Sequence, residues 1–330
     1  MNDPSEWDDS VHRLKFIFGE YCFYNVWFEA AELRTHFIHL SGSLDNSSAA
    51  AAPLLGRHRA LAIPAHPIAA EPSWLKITRD YLRYVPASTT CYFIEPGNSF
   101  DAYLQRMPNK HRHELFRKLR RVAEHCEGAI DLRCYRSVTE ARAFYALAST
   151  VSRKTYQRRL LDVGLPETAA FEAQLLARAG QNRMRGYLLF HRDTPVAYGY
   201  CIVTGDCLRF QYIGYDPAYR HWSAGNVLIA EALRSAIGEN LFAIIDFGSG
   251  EAQYKRSFAT GSRRCATVFL FRPTARRLLT LAAHRTCIAL SDICAGIADR
   301  LGLKERLKRR FRTPAAALLG SGLALLLTLG

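Results

Sequence analysis

The sequence has no Cys-x-x-Cys pair and no Cys/His grouping at zinc-ligand spacing, so nothing in it points to a metal site. Its nine cysteines, at 22, 91, 126, 134, 201, 207, 265, 287 and 294, are odd in number and scattered. Several lie inside apolar runs such as Tyr198–Val203, and buried, reduced thiols in a cytosolic protein are expected. Acidic residues are scarce, 30 against 44 Lys and Arg, which leaves a formal charge of +14. That excess implies an anionic partner: a nucleotide, a nucleic acid or an acidic membrane surface. The first residues, Met1–Glu6, are acidic and lack the apolar core of a secretory signal. No period of 20–50 residues repeats, which excludes a solenoid.

What the chain does have is apolar mass. Hydrophobic residues make up 49% of 330, enough for a substantial core in one large domain or two ordinary ones. In residues 1–105, apolar stretches around Phe16–Phe28 and Thr90–Ile94 read as strands and Asp101–Arg106 as a brief helix. The Ser- and Ala-rich Ser41–Pro53 reads as a flexible loop. Lys110–Glu127 follows, a basic helical stretch with Leu115, Leu119 and Val122 on one face and Gly128 as its C-cap.

Beyond Gly128 the pattern becomes regular. Ile130–Tyr135 reads as a strand, then Val138–Val151 and Glu167–Ala179 as amphipathic helices separated by a Gly164-Leu165-Pro166 break. Gly186–His191, Val196–Val203 and Cys207–Tyr215 are successive strands, turned at Asp193-Thr194-Pro195 and Gly205-Asp206. Ala224–Ile237 is a helix, Phe242–Asp246 a short buried strand, Glu251–Phe258 a short helix and Cys265–Phe271 a last strand. Hairpin-connected strands followed by a β-α-β crossover give an α/β (α+β) fold, a mixed sheet with helices on its faces. Residues 273–312 are helical and basic, and the apolar run Pro314–Gly330 ends the sequence. At 1.5 Å per residue that run is only about 25 Å long, and it contains a proline, three glycines and a serine. An interfacial tail fits better than a span, with the cations of Lys304–Arg312 assisting contact with anionic lipid.

Two segments carry chemistry. In Tyr212–Asn226 a strand runs into a helix whose first residues, Ser223, Ala224, Gly225 and Asn226, are small or polar. Orphan amides and the positive end of a helix dipole make such a start a site for an anion such as pyrophosphate, although Ser223 could equally serve as an ordinary N-cap. In Ile244–Lys255 a buried strand ends in Asp246, followed by Gly248, Gly250, Glu251 and a helix bearing Tyr254 and Lys255. Asp-Phe-Gly also occurs in protein kinases, but their glycine-rich and catalytic loops are missing here. Asp246 could merely hold the turn, Tyr254 pack in the core and Lys255 lie on a solvated helix face.

The element order and both segments resemble the GNAT acetyltransferase superfamily, more narrowly the cellulose-biosynthesis-associated acetyltransferases related to Fem peptidyltransferases. Arg220-His221-Trp222-Ser223-Ala224-Gly225 fits the spacing of the family's cofactor loop with Ser in place of its first Gly. Asp246–Lys255 matches the branch pattern Asp-Phe-Gly-x-Gly followed by Tyr-Lys. The resemblance covers residues 100–272 and includes the Lys154–Gln157 segment. It implies a GNAT-like domain at 106–272, an N-terminal region 1–105 that is a degenerate second GNAT-like half, and a helical tail at 273–330. It further implies acetyl-CoA or another acyl-CoA as co-substrate, without a metal, gripped by Arg220, Ser223, Ala224, Gly225 and Asn226. Tyr254 then protonates the departing thiolate, with Asp246 or, more weakly, Glu251 as the second catalytic group. Tyr156 and Lys255 line the substrate side, and His221 receives no role.

The expected function is acyl-CoA-dependent N-acylation of an amino sugar or a polymer precursor, in the cytoplasm or at the inner face of the membrane. No nucleic-acid motif accompanies the basic helix, so no nucleic-acid partner is expected. The rivals are a Fem-like transferase using aminoacyl-tRNA and a non-catalytic GNAT-like binding module.

Overall fold

A computed structural model describes residues 6–19, 21–126, 128–155 and 164–300. Tyr156, the cationic stretch Lys304–Arg312 and the apolar run Pro314–Gly330 lie outside the described residues. The chain forms two compact units, one of residues 1–88 and 266–330, the other of residues 89–265.

The first unit begins with a long antiparallel hairpin, β1 (Trp7–Phe18) and β2 (Tyr21–Leu33). Leu14 and Phe16 of β1 and Phe28 and Ala30 of β2 are buried, the period-two pattern of a sheet covered on one face. A helix, α1 (Leu44–Ala51), then leads to β3 (Ala60–Pro67), which pairs with β2 in parallel at Ala31–Leu61 and Glu32–Ala62. Two short strands, β4 (Leu75–Ile77) and β5 (Leu82–Tyr84), follow. Here the flexible loop expected at Ser41–Pro53 is corrected. The Ser43 hydroxyl accepts the Asn46 amide at 3.2 Å as an N-cap, and the alanines that looked like low complexity are strong helix formers.

The second unit runs β6 (Ser88–Ile94), α2 (Phe100–Arg106), α3 (Asn109–His125), β7 (Asp131–Tyr135), α4 (Val138–Lys154), α5 (Ala169–Gly180), β8 (Met184–His191), β9 (Thr194–Thr204) and β10 (Cys207–Tyr215). A 3-10 turn at Pro217–Trp222 precedes α6 (Ala224–Gly238), then come β11 (Ile244–Ser249), α7 (Gln253–Phe258) and β12 (Gly261–Phe271). From Ile130 onward this is the order of strands and helices that the sequence pattern predicts. Within the unit the strands lie side by side as β6, β11, β10, β9, β8, β7. All neighbours are antiparallel except β10 and β11, the product of the β10-α6-β11 crossover. One face packs on α4 and α5 through Phe144, Leu175, Tyr198 and Tyr200. The other is covered by α3 and α6 through Leu115, Leu119, Val122, Val227 and Leu228.

The expected C-cap of α3 is present: Gly128 has φ +95° and donates its amide to the Ala123 carbonyl at 2.9 Å. The thiols of Cys91, Cys201, Cys207 and Cys265 are buried and free, whereas Cys22 and Cys294 are exposed.

From Ala266 onward β12 belongs to the first unit, and α8 (Ala275–Arg300) packs there on β1. Buried His284 is held between the Tyr84 hydroxyl and the Lys15 carbonyl. Ala275–Ile297 is the one described segment long and apolar enough to cross a membrane, at mean hydropathy 1.3. One side of it is taken up by β1. The opposite side leaves Leu279, Leu290, Ile293 and Ile297 exposed.

The far end of α6 is fixed by charge. Glu239, just past its last turn, accepts from Arg185 of β8 at 3.0 Å and from Arg136 at 2.9 Å. The Arg185 and Glu239 side chains are 2% and 7% exposed. Removing one partner strands a buried charge, at a typical cost of about 3–5 kcal/mol. Glu239→Ala is therefore expected to lower the unfolding free energy by about that much, read from denaturant titration; a loss under about 1 kcal/mol contradicts the assignment.

Candidate active site

The site is created by two strands that part. β10 and β11 pair only at Cys207–Ile244, Leu208–Ile245 and Arg209–Asp246, although both continue beyond. The cause lies in the sequence of β10. Against β9, Phe210 faces Cys201 and Tyr212 faces Tyr200, so Gln211 is an extra residue, a bulge. A bulge bends its strand and raises the local twist, and the edge of β10 facing β11 has no ladder partner from Phe210 onward. Gly214 fits the same design. A Cβ there would lie 2.4 Å from the Tyr198 ring and 2.9 Å from Thr155 Cγ2, so only glycine lets that ring cross the end of β10.

The turn from β10 to α6 is held on several sides. Asp216 accepts the Ala218 amide at 3.0 Å and pairs through its other oxygen with Lys154 at 2.9 Å. Trp222 is buried among Tyr219, His191, His125 and His221, with ring centroids 4.6–5.5 Å away. Arg121 of α3 donates to the His221 carbonyl at 3.3 Å.

Ser223 then takes a left-handed conformation, φ 56° and ψ 39°, and its side chain caps nothing. The N-cap alternative for this serine is thereby removed. The amides nominated at the helix start divide by geometry. Ser223 donates to the Arg220 carbonyl, and Asn226 turns back to Ser223 at 2.8 Å. Ala224 is fully buried. Gly225 is half-buried, and its amide has no acceptor among the described residues. A Cβ on Gly225 would meet the exposed Tyr215 ring at 3.2 Å, a tight contact that the ring would relieve by shifting a few tenths of an ångström. Arg220 is exposed beside the turn. One open amide at the positive end of a 15-residue helix, with an arginine nearby, suits an anionic group.

At the other wall, Asp246 is 2% exposed. It accepts the Gly248 amide at 2.7 Å and Arg209 Nε at 3.2 Å, so it does hold the turn. Lys255 is not on a solvated face: it is buried, with Nζ 3.4 Å from the Gly248 carbonyl. Burial pulls its pKa down, with Asp246 opposing. Tyr254 packs edge-on against Phe247 at 5.9 Å, and its hydroxyl has no hydrogen-bond partner among the described residues. Burial pushes its pKa up to about 12, so it carries its proton throughout the physiological range. Exposed Glu251 is bound by Arg256 and by the Tyr92 hydroxyl at 3.1 Å, and the Arg256 guanidinium holds its carboxyl below the usual range. Such a carboxylate is a poor base.

The structure thus gathers Asp246, Glu251, Tyr254 and Lys255 around the end of β11 and Arg220–Asn226 around the start of α6. The sequence reading missed Arg209 and Gln211. Arg209 had left a trace as the one charged residue in the β10 run Cys207–Tyr215.

Because Ser223 sits where a Cβ is strained and gains no cap in return, Ser223→Gly is expected to stabilise the protein by about 1 kcal/mol. Denaturant midpoints at unchanged m-value measure this; a lower midpoint refutes it.

Comparisons with known proteins place part of the chain in a described family model. Residues 109–256, from the first turn of α3 into α7, match the family model described as an acetyltransferase (GNAT) domain. No curated relative matches the sequence. Among solved structures, the C-terminal domain of an Agrobacterium fabrum protein named as a lysylphosphatidylglycerol synthetase is 9% identical at TM-score 0.48, covering 87% of this chain and 89% of that one. FemX is 10% identical at TM-score 0.45, with 84% and 90% covered. L-PGS from Bacillus licheniformis is 11% identical at TM-score 0.45, with 73% and 79% covered. Likeness at this level carries no activity across. The stretch from α3 into α7 has a GNAT-like fold, and the family model covers a little under half of the chain.

Proposed function

We propose that this domain transfers an acyl group from an acyl-CoA to an amine, as in the cellulose-biosynthesis-associated branch, with an amino sugar or cell-envelope polysaccharide precursor as acceptor. The observation that carries the reading is the end of β10–β11 pairing at Arg209–Asp246, which leaves a cleft open along one edge of β10. Gly225, flanked by Ser223, Ala224 and Asn226, would meet the diphosphate with the α6 dipole behind it, and Arg220 would add a cation. Unpaired backbone on β10 beyond Gln211 offers donors where the carbonyl oxygen gains charge. The neutral amine forms the new C–N bond, and the C–S bond breaks. The thiolate takes its proton from Tyr254, the proton released by nitrogen leaves to water, and the Tyr254 phenolate recovers a proton from water before the next turnover. Desolvation that raises the Tyr254 pKa also raises the basicity of a thiolate formed beside it, which keeps donor and acceptor matched.

The aminoacyl-tRNA rival has one observation on its side. Exposed Lys110, His113, Arg117, Arg120 and Arg121 run along α3, and Arg121 touches the anion-binding turn. The two donors separate experimentally. Saturating acetyl-CoA at 100 times its Kd is expected to stabilise the protein by about 2.7 kcal/mol. Absence of any melting shift with acetyl-CoA or longer acyl-CoAs, together with RNA binding that falls steeply with salt, selects the rival. Tyr254→Phe is expected to lower kcat by about 100-fold at near-normal acyl-CoA affinity. Unchanged turnover removes Tyr254 from the acid role.

We further propose peripheral attachment to an anionic membrane. Its support is the exposed stripe Leu279, Leu290, Ile293 and Ile297 on α8, followed in sequence by the cations of Lys304–Arg312. Buried His284 on the other side of α8 fits a helix lying on a surface better than one surrounded by lipid. Leu290→Glu with Ile293→Glu is expected to reduce co-sedimentation with phosphatidylglycerol vesicles at least 10-fold; equal sedimentation defeats the proposal.

A further inference from the structure

The guanidinium at the fork is not accounted for by the transfer chemistry. Arg209 is the last residue of β10 paired to β11, and its ladder partner is Asp246. Leu208 and Phe210, on either side of it, belong to the core under α6, as do Ile245 and Phe247 beside Asp246. Arg209 and Asp246 therefore project from the opposite face, the one on which α4 and α5 pack. The helix dipole and the open Gly225 amide belong to α6, so the fork charge is separate from the diphosphate position.

Asp246 is almost fully buried, 3% exposed in its side chain, whereas the Arg209 side chain is 28% exposed. Of the Arg209 nitrogens, Nε donates to the carboxylate, at 3.2 Å. Both Nη nitrogens lack a protein acceptor among the described residues, and together they carry four N–H donors in one plane. A buried carboxylate that orients a guanidinium while leaving its outer edge free is a support for a receptor, because that edge matches the two oxygens of a carboxylate or phosphate. Lys255 adds a second positive charge within electrostatic reach of the same aspartate.

We propose that Arg209, oriented by Asp246, receives an anionic oxyacid group of the acceptor, so that the amine to be acylated sits on a molecule bearing a carboxylate or a phosphate. This deepens the transferase reading and rests on it. Asp246 is a positioning residue in this scheme, and Arg209 sets specificity. An anion held on Arg209 at the point where the strands part would orient the attached amine toward the scissile carbonyl, an orientation that an acceptor without the anionic group does not gain.

The test uses the full chain and paired acceptors that differ by one anionic group: glucosamine against its 6-phosphate, and β-alaninamide against β-alanine. Thiol release from acetyl-CoA is followed. In at least one pair the anionic member is expected to show a kcat/KM at least 10-fold higher, carried mainly by KM, and which pair responds distinguishes phosphate from carboxylate. Arg209→Gln is expected to collapse that ratio toward one by raising the KM of the anionic member. Arg209→Lys, which keeps charge but loses the planar fork, retains part of it. Equal treatment of both members by the wild type, or a preference that survives Arg209→Gln, overturns the proposal. Calorimetric titration with inorganic phosphate gives a readout independent of turnover. Arg209→Gln should weaken binding at least 10-fold, and an identical isotherm counts against the site whether or not any amine is acylated. Failure of acetyl-CoA to raise the melting temperature is a different result, and it strikes the transferase reading alone.

Discussion

A single extra residue decides what this sheet can do. Gln211 breaks the register between β9 and β10, and the bend it imposes separates β10 from its parallel neighbour after three residue pairs. A fully zipped sheet would satisfy every amide on that edge and leave nothing to bind. The opened edge exposes backbone donors, puts the start of α6 within reach of an anion and leaves Arg209 and Asp246 at the floor of the fork. Packing keeps it open. Tyr198 fills the space over Gly214, and Glu239 locks the distant end of α6 to β8.

The two walls differ in how they are built. On the α6 side the candidate binding groups are backbone, fixed by the Trp222 cluster and by a left-handed Ser223. On the β11 side they are side chains arranged by charge: Asp246 neutralises Arg209, and Arg256 neutralises Glu251. Tyr254 stands apart from both: its hydroxyl has no hydrogen-bond partner among the described residues, and burial keeps it protonated.

Much of this was legible in the residues. From Ile130 to Phe271 the alternation of period-two and helical patterns returned every described strand and α-helix, though not the 3-10 turn at Pro217–Trp222, because local propensity and burial agree there. The two chemical segments were also visible, since glycines and small residues at strand-to-helix turns have few other uses. Less legible were features that depend on a distant partner. Ser41–Pro53 looked like a loop because its Ser and Ala composition hides a capped helix. Lys255 could not be told from a solvated lysine until the neighbouring strands were in place. Arg209 had no local signature of its Asp246 partner, 37 residues away. A bulge leaves no mark in one strand, because it exists only as a mismatch with the next.

The ion pair between Lys154 and Asp216 has a mechanical reading. Lys154 is the last residue of α4, and Asp216 caps the turn that leads to α6. The pair thus fastens the last turn of α4, on one face of the sheet, to the turn that carries the chain from β10 into α6, so a single side chain spans from a covering helix to the strand edge that stands open.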